Sequence, residues 1–287
     1  MKQYHNATAF RMALEERLKN ISKKEDMDVQ SLRKKVAFDR FLARLFSKSE
    51  LISWVLKDGY AMELWIKEAR VSKDIDLVVN ESLSTQKNLS QQSILSILRE
   101  QAAYDLKDFF LFRIDQSMQD LEGPPYGGAR YPVHAVMDGR TFAKFHVDIA
   151  MGDIVIEPLE RIKGRNWLKF AGFPDSELIS VSKEQQFAEK LHAYTRPREK
   201  TNSRVRDLID MVLLIQHGLR SESTKVKKCI LTTFERYKTH SVPKKLEVPP
   251  QEWEKSYRQM AKEIGLAQNT IQTAFSVISQ YCKKLSL

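Results

Sequence analysis

The sequence predicts an α+β protein, and three observations carry the prediction. Residues 74–79 alternate and end in branched aliphatics, the pattern of a strand with one face for a core. A second pair of alternating runs flanks Asp138-Gly139, the strongest short hairpin signal in the chain. From Ser182 onward the apolar spacing turns helical. That change marks a domain boundary, with the strands in residues 1–181 and a helical C-terminal domain in residues 182–287.

The elements follow in order. Phe10, Leu14, Leu18 and Ile21 recur at helical spacing, so the chain opens with an amphipathic helix. Phe38, Phe41, Leu42, Leu45 and Phe46 mark a second helix. Its Arg33, Lys34, Lys35, Arg40 and Arg44 fall on other faces and are expected to be solvated. Trp54–Lys57 reads as a short strand running into Asp58-Gly59, and Ala61, Leu64 and Trp65 suggest a short helix beyond. A strand, a glycine turn and a helix N-terminus can present backbone N–H groups to a phosphate; one glycine more often marks an ordinary turn. Residues 80–93, rich in Ser, Gln and Asn, read as a surface loop. Ile94, Leu95, Ile97 and Leu98 begin a helix, Phe109–Ile114 is strand-like, and residues 123–128, with four Gly and Pro in the first five, form a loop.

The strand at 74–79 carries the first chemical signal. Asp74 and Asp76 are two apart and point the same way. Two carboxylates held close repel each other and are best tolerated around a cation, and Mg²⁺ is the oxygen-seeking ion that also binds nucleotide phosphates. Arg70 and Lys73 add positive charge where a polyphosphate would lie. The plainer reading is a solvated strand face. In the hairpin, Phe145, Val147 and Ile149 share one face while Lys144, His146 and Asp148 share the other. If this strand pairs beside the first, Asp148 joins the two acids and can accept a proton from an attacking hydroxyl; otherwise it lies on an exposed hairpin face. His146 reads as a neighbour of the site, since no second His stands at a ligating interval.

Ser182, with Gln185 three residues on, fits a helix N-cap. In that helix Phe187, Leu191 and Tyr194 form a stripe with Lys190 beside it. Lys190 is either a snorkelling surface lysine or a point charge for a triphosphate. Arg204–Ile215 is a strongly apolar helix with Asp207 and Asp210 early in it, where carboxylates suit the helix dipole. Asp207 is also placed to pair with Lys190 or an arginine.

Composition bounds the function. The 287 residues are 42% hydrophobic and 29% charged, as in an ordinary soluble protein. A net charge of +10 favours an anionic partner, nucleic acid ahead of membrane. From Arg220 on, 13 Lys and Arg face 6 Glu and no Asp, with Phe234, Tyr237, Trp253 and Tyr257 interleaved. Such a stretch is either an RNA-docking surface with faces for stacking or a helical bundle with aromatics in its core. No apolar leader and no run of transmembrane length stand in the sequence, so no membrane partner is expected. Cys229 and Cys282 read as reduced thiols of a cytoplasmic protein.

Four elements taken together resemble a known family. They are Leu56-Lys57-x-Gly59-x-Ala61 with Arg70-x-Ser72-Lys73-Asp74-Ile75-Asp76-Leu77, then Phe145-His146-Val147-Asp148-Ile149, then Glu189-Lys190-Leu191-x-Ala193, then Arg206-Asp207-Leu208-x-Asp210. In this order they resemble the AbiEii/AbiGii nucleotidyltransferase toxins of the DNA polymerase β-like superfamily. The resemblance implies a nucleotidyltransferase-like mixed β-sheet flanked by helices, followed by a helical C-terminal region. It implies transfer of a nucleoside monophosphate from an NTP, with two Mg²⁺ ions. Family members of the MenT type act on the 3′ end of tRNA, pair with a cognate antitoxin, and have relatives in abortive phage infection. By position, Asp74, Asp76 and Asp148 would hold metal, with Asp148 as ligand or base. Lys190 would bind the triphosphate and Asp207 would complete the site from the C-terminal domain. Gly59, Arg70, Ser72, Lys73 and Arg206 would lie at the nucleotide. The superfamily often has Gly-Ser after the first strand, where this chain has Gly59-Tyr60, which puts a hydroxyl contact from position 60 in doubt; Ser72 is the substitute. Two other readings share the fold: a transferase acting on a protein hydroxyl or a small molecule, and a non-catalytic RNA-binding protein.

Overall fold

A computed structural model describes residues 4–47, 53–80, 90–121, 127–198, 204–220 and 224–285. Most of the expected loop at 80–93, and residues 123–126 of the Gly- and Pro-rich loop, lie outside the described residues. The chain divides into two compact units.

The first unit comprises residues 1–64, 71–153 and 160–180. Two helices open it, α1 (Ala7–Glu25) and α2 (Val29–Ser47). Asn6 caps α1 by accepting the Ala9 N–H at 2.8 Å, and Phe10, Leu14 and Leu18 are its buried stripe. The sheet follows: β1 (Trp54–Lys57), the helix α3 (Asp58–Trp65), β2 (Ile75–Val79), the helix α4 (Gln91–Ala102), β3 (Leu111–Ile114), β4 (Gln119–Asp120), β5 (Gly128–Met137), β6 (Arg140–Ala150), β7 (Glu160–Lys163) and β8 (Glu177–Ser180). Strand order is β3-β5-β6-β2-β1-β8-β7, with β4 on β5. The β2–β6 and β1–β8 pairings are parallel and the rest antiparallel, so the sheet is mixed. Phe38 and Phe41 of α2 meet Phe145 edge-on, at 4.9 and 5.6 Å between ring centroids. The apolar face of β6 is therefore the core face.

The expected hairpin forms, with Asp138 and Gly139 both at positive φ in its two-residue turn. Asp and Gly tolerate that conformation, whose twist matches the strands. A bulge between Ala135 and Val136 then shifts the register by one residue. At the far end of β5, Gly128 runs so close to β6 that a side chain would collide with the Ile149 carbonyl.

The basic residues of α2 correct the expectation of solvation. Arg40 and Arg44 are buried and both grip Asp108, at 2.7 Å and 2.6 Å. Burial works against ionisation of Asp108, but the two arginines outweigh it and hold its pKa below the usual carboxylate value. Lys35, also buried, pairs with Glu63 at 2.8 Å. Helical spacing shows which residues share a face, not which faces other parts of the chain will cover.

The second unit comprises residues 65–70, 154–159 and 181–287. Its helices are α5 (Lys183–Thr195), α6 (Val205–Gln216), α7 (Thr224–Tyr237), α8 (Glu254–Glu263) and α9 (Ile271–Lys284). Ser182 caps α5 by accepting the Gln185 N–H, as its spacing predicts. α5 packs on α6 and α7, and α6 on α8 and α9. Phe234, Trp253 and Tyr257 are buried, and Tyr237 stacks on His192 at 4.7 Å. These aromatics build the bundle and are not offered as stacking faces for RNA. No helix among the described residues is long and apolar enough to cross a membrane.

Candidate active site

In the first unit the acids gather because β2 and β6 run parallel in a fixed register. Asp76 is the Cα partner of Asp148, and Ile75 of Val147. Asp74 stands just before β2, and its carboxylate meets His146 Nδ1 at 3.2 Å. The sequence predicted Asp74, Asp76 and Asp148 on outward faces; the parallel pairing puts them side by side.

The loop before β2 is tied down at three points. Glu63 of α3 accepts the Ser72 N–H and binds the Lys35 ammonium. The Ser72 hydroxyl donates to the Asp74 carbonyl at 3.0 Å. Ser72 is thus buried and engaged with its own loop, while Lys73 beside it is exposed.

Arg130, which no motif or spacing marks out, is the cation bound to these acids. It donates to both oxygens of Asp148, at 2.8 and 2.7 Å, and lies 3.6 Å from Asp74. Its bonds to Asp148, with the charges of Asp74 and Asp76, hold its pKa above even the usual guanidinium value. Arg130 faces Asp148 only because of the bulge. Counting back from the Asp138-Gly139 turn without it would put Ala129 opposite Asp148, and Arg130 on the other face.

At the end of β1 the left-handed residue is Asp58, not Gly59. Gly59 is buried in the first turn of α3. Tyr60 is core: its ring packs edge-on against Phe38 at 5.1 Å, and its buried hydroxyl has no hydrogen-bond partner among the described residues. Burial pushes its pKa well above 10.

The second unit holds its own charged cluster. Lys190 is only 3% exposed, so it does not snorkel; it meets Asp210 at 2.9 Å and Asp207 at 3.3 Å. Arg70 grips Asp210 through two bonds, at 3.1 and 2.9 Å. Burial opposes the charge on Asp210, yet Lys190 and Arg70 outweigh it and keep its pKa below the usual carboxylate value. The spacing of Asp207 and Asp210, one helical turn apart, was the available signal that both face one partner. Arg204 lies 3.8 Å from Asp207, and Arg206 is exposed.

The acids of the first unit suit Mg²⁺ in donor chemistry. They are hard oxygens already collected about a cation. Among the described residues no group of three or more His, Cys, Asp or Glu is placed to hold a metal ion. Mg²⁺ in nucleotide enzymes needs only one or two carboxylates, with substrate phosphates and water completing the octahedron. Two of Asp74, Asp76 and Asp148 would supply that number of carboxylates.

A family profile described as nucleotidyl transferase AbiEii toxin, type IV toxin–antitoxin system, matches residues 40–277. The fold is similar to that of MenT4, a nucleotidyltransferase toxin from Mycobacterium tuberculosis H37Rv. The TM-score is 0.60 at 16% identity, over 90% of this chain and 84% of that one. A search of curated proteins gives no match.

Proposed function

Because the chain belongs to the AbiEii family of nucleotidyltransferase toxins of type IV toxin–antitoxin systems, we propose that this nucleotidyltransferase moves a nucleoside monophosphate from an NTP to the 3′ end of tRNA. The observation that supports the reading is the meeting of Asp74, Asp76 and Asp148 on two parallel strands, beside an open groove lined by basic residues.

The chemistry follows from the residues. The 3′-hydroxyl oxygen attacks the α-phosphorus and gives its proton to the Asp148 carboxylate. The bond from that phosphorus to the β-phosphate oxygen breaks, and pyrophosphate leaves. Arg130 orients Asp148 through both oxygens. Asp74 and Asp76 hold the metal. Bound Mg²⁺ supplies charge neutralisation for the triphosphate and the leaving group. Lys73, next to Asp74, meets the phosphates. Lys190 is held by Asp207 and Asp210 in the second unit's own cluster. A tRNA with an altered 3′ end cannot be charged, which stops translation. An antitoxin of the same system is the implied protein partner.

The test uses purified protein with Mg²⁺, total tRNA and each α-labelled NTP in turn, beside Asp76→Asn. Label should enter RNA with at least one NTP, and the variant should lose about a hundredfold or more, the scale of removing a main electrostatic contributor. Label on the protein itself or on a small acceptor instead of RNA would overturn the tRNA reading. Near-normal transfer by Asp76→Asn would overturn the site.

A further inference from the structure

The outward face of the β5–β6 ribbon carries, beyond Arg130 and Asp148, side chains that the transfer step does not use. Three cross-strand pairs stand in a row: Arg130–Asp148, Pro132–His146 and His134–Lys144. The alternate residues Val133, Phe145 and Val147 are buried, so the row is the opposite face. At about 3.4 Å per residue the row runs roughly 14 Å from Asp148 to Lys144. Arg130, Pro132, His134, Lys144 and His146 of this row line an open groove of about 800 Å³, with Asp74 at the end where Arg130 meets Asp148.

The groove has a flat floor and basic walls. His146 and His134 present imidazole rings on either side of Pro132. Lys34, Lys73 and Lys144 contribute ammonium groups. The two acids of the lining already have partners: Asp74 has Arg130 and His146, and Asp115 meets His134 at 3.1 Å. The lysines therefore set the sign of the field. Flat rings at intervals of about 7 Å with cations alongside suit unstacked bases joined by phosphates. A duplex is too wide for a channel one ribbon across.

We propose that this groove seats the last two or so nucleotides of a single-stranded RNA 3′ end. The terminal hydroxyl lies at the Asp148 end, bases lie on His146, Pro132 and His134, and phosphates lie against Lys34 and Lys144. This rests on the reading of RNA as acceptor, and it assigns the surface that selects an unpaired end.

The experiment compares wild type with Lys144→Glu, Lys144→Arg and the double variant His134→Ala/Lys144→Glu. Two readouts are taken: KM for tRNA and for NTP separately, and anisotropy of a labelled short single-stranded RNA as a function of salt. Lys144→Glu should raise the KM for tRNA about fivefold or more, leave the KM for NTP within about twofold, and lower the salt slope by about one. Lys144→Arg should behave as wild type, which separates charge from folding. An unchanged KM for tRNA in the double variant, with wild type active, would overturn the groove assignment alone. A rise in the KM for NTP instead would also overturn it. If wild type labels no RNA, the acceptor reading fails, and oligonucleotide binding decides the groove: weaker binding by Lys144→Glu sustains it, and equal binding refutes it.

Discussion

The two charged clusters are made of the same groups and differ in access to water. In the first unit Asp74 is 29% exposed and Asp148 13%, and their guanidinium partner Arg130 is 33% exposed. In the second unit Asp210 is 1% exposed and Lys190 3%. An ion pair that water reaches can exchange its partner for a metal or a phosphate at modest cost. A sealed pair cannot lose a member without leaving a buried charge uncompensated. The first cluster is built for ligand exchange, whereas Asp210 in the second holds its cations in place.

Removing acids from each cluster tests that contrast. Asp210→Ala leaves the buried Lys190 with half of its pairing and the half-buried Arg70 guanidinium without this partner, so urea unfolding should show a loss of about 3 kcal/mol. Asp74→Asn should leave unfolding within about 1 kcal/mol of wild type, since partly exposed pairs contribute little, while transfer falls about a hundredfold. If the two variants exchanged these outcomes, the contrast would be wrong.

The units also differ in how acid affects them. Burial and the neighbouring His240 push the His192 pKa down to about 4. The unfolded chain takes up that proton near pH 6.5, so stability held above 6.5 is lost as pH falls toward 4. Burial lifts Asp39 to about 6, against the pull of the Ser176 hydroxyl and Arg40. The folded chain takes up that proton first, so Asp39 adds stability as pH falls from about 6 toward 3.8. Each effect is at most about 3 kcal/mol. Denaturant midpoints from pH 7 to 4 should decline less steeply in His192→Gln and more steeply in Asp39→Asn. Parallel curves for all three proteins would remove both assignments.

The smallest expected effect belongs to Tyr60. Tyr60→Phe removes a buried hydroxyl with no partner among the described residues, so stability should hold or rise by up to about 1 kcal/mol, with transfer unchanged. A drop in transfer would return Tyr60 to the phosphate site.

Much of the architecture is written in local patterns. The hairpin needs only Asp138-Gly139 between alternating runs, the α5 cap only Ser182 and its spacing, and the outward direction of Asp74, Asp76 and Asp148 only the two-residue period of a strand. These depend on neighbours a few residues apart, and the sequence lists those neighbours.

The rest depends on which distant segments meet. The parallel pairing of β2 with β6 joins residues some 72 positions apart in register, and no periodicity specifies it. The bulge at Ala135 and Val136 turns Arg130 toward Asp148 by a one-residue slip; β6 shows it as Phe142 out of phase with Phe145, Val147 and Ile149, a break in alternation that does not by itself say which residue of β5 will face Asp148. Arg40, Arg44 and Lys35 look like surface residues until Asp108 and Glu63 come to them from elsewhere in the chain. Local spacing determined which residues face outward together. Long-range pairing decided which of them share a site, because charge partners are fixed by proximity in space and not by order along the chain.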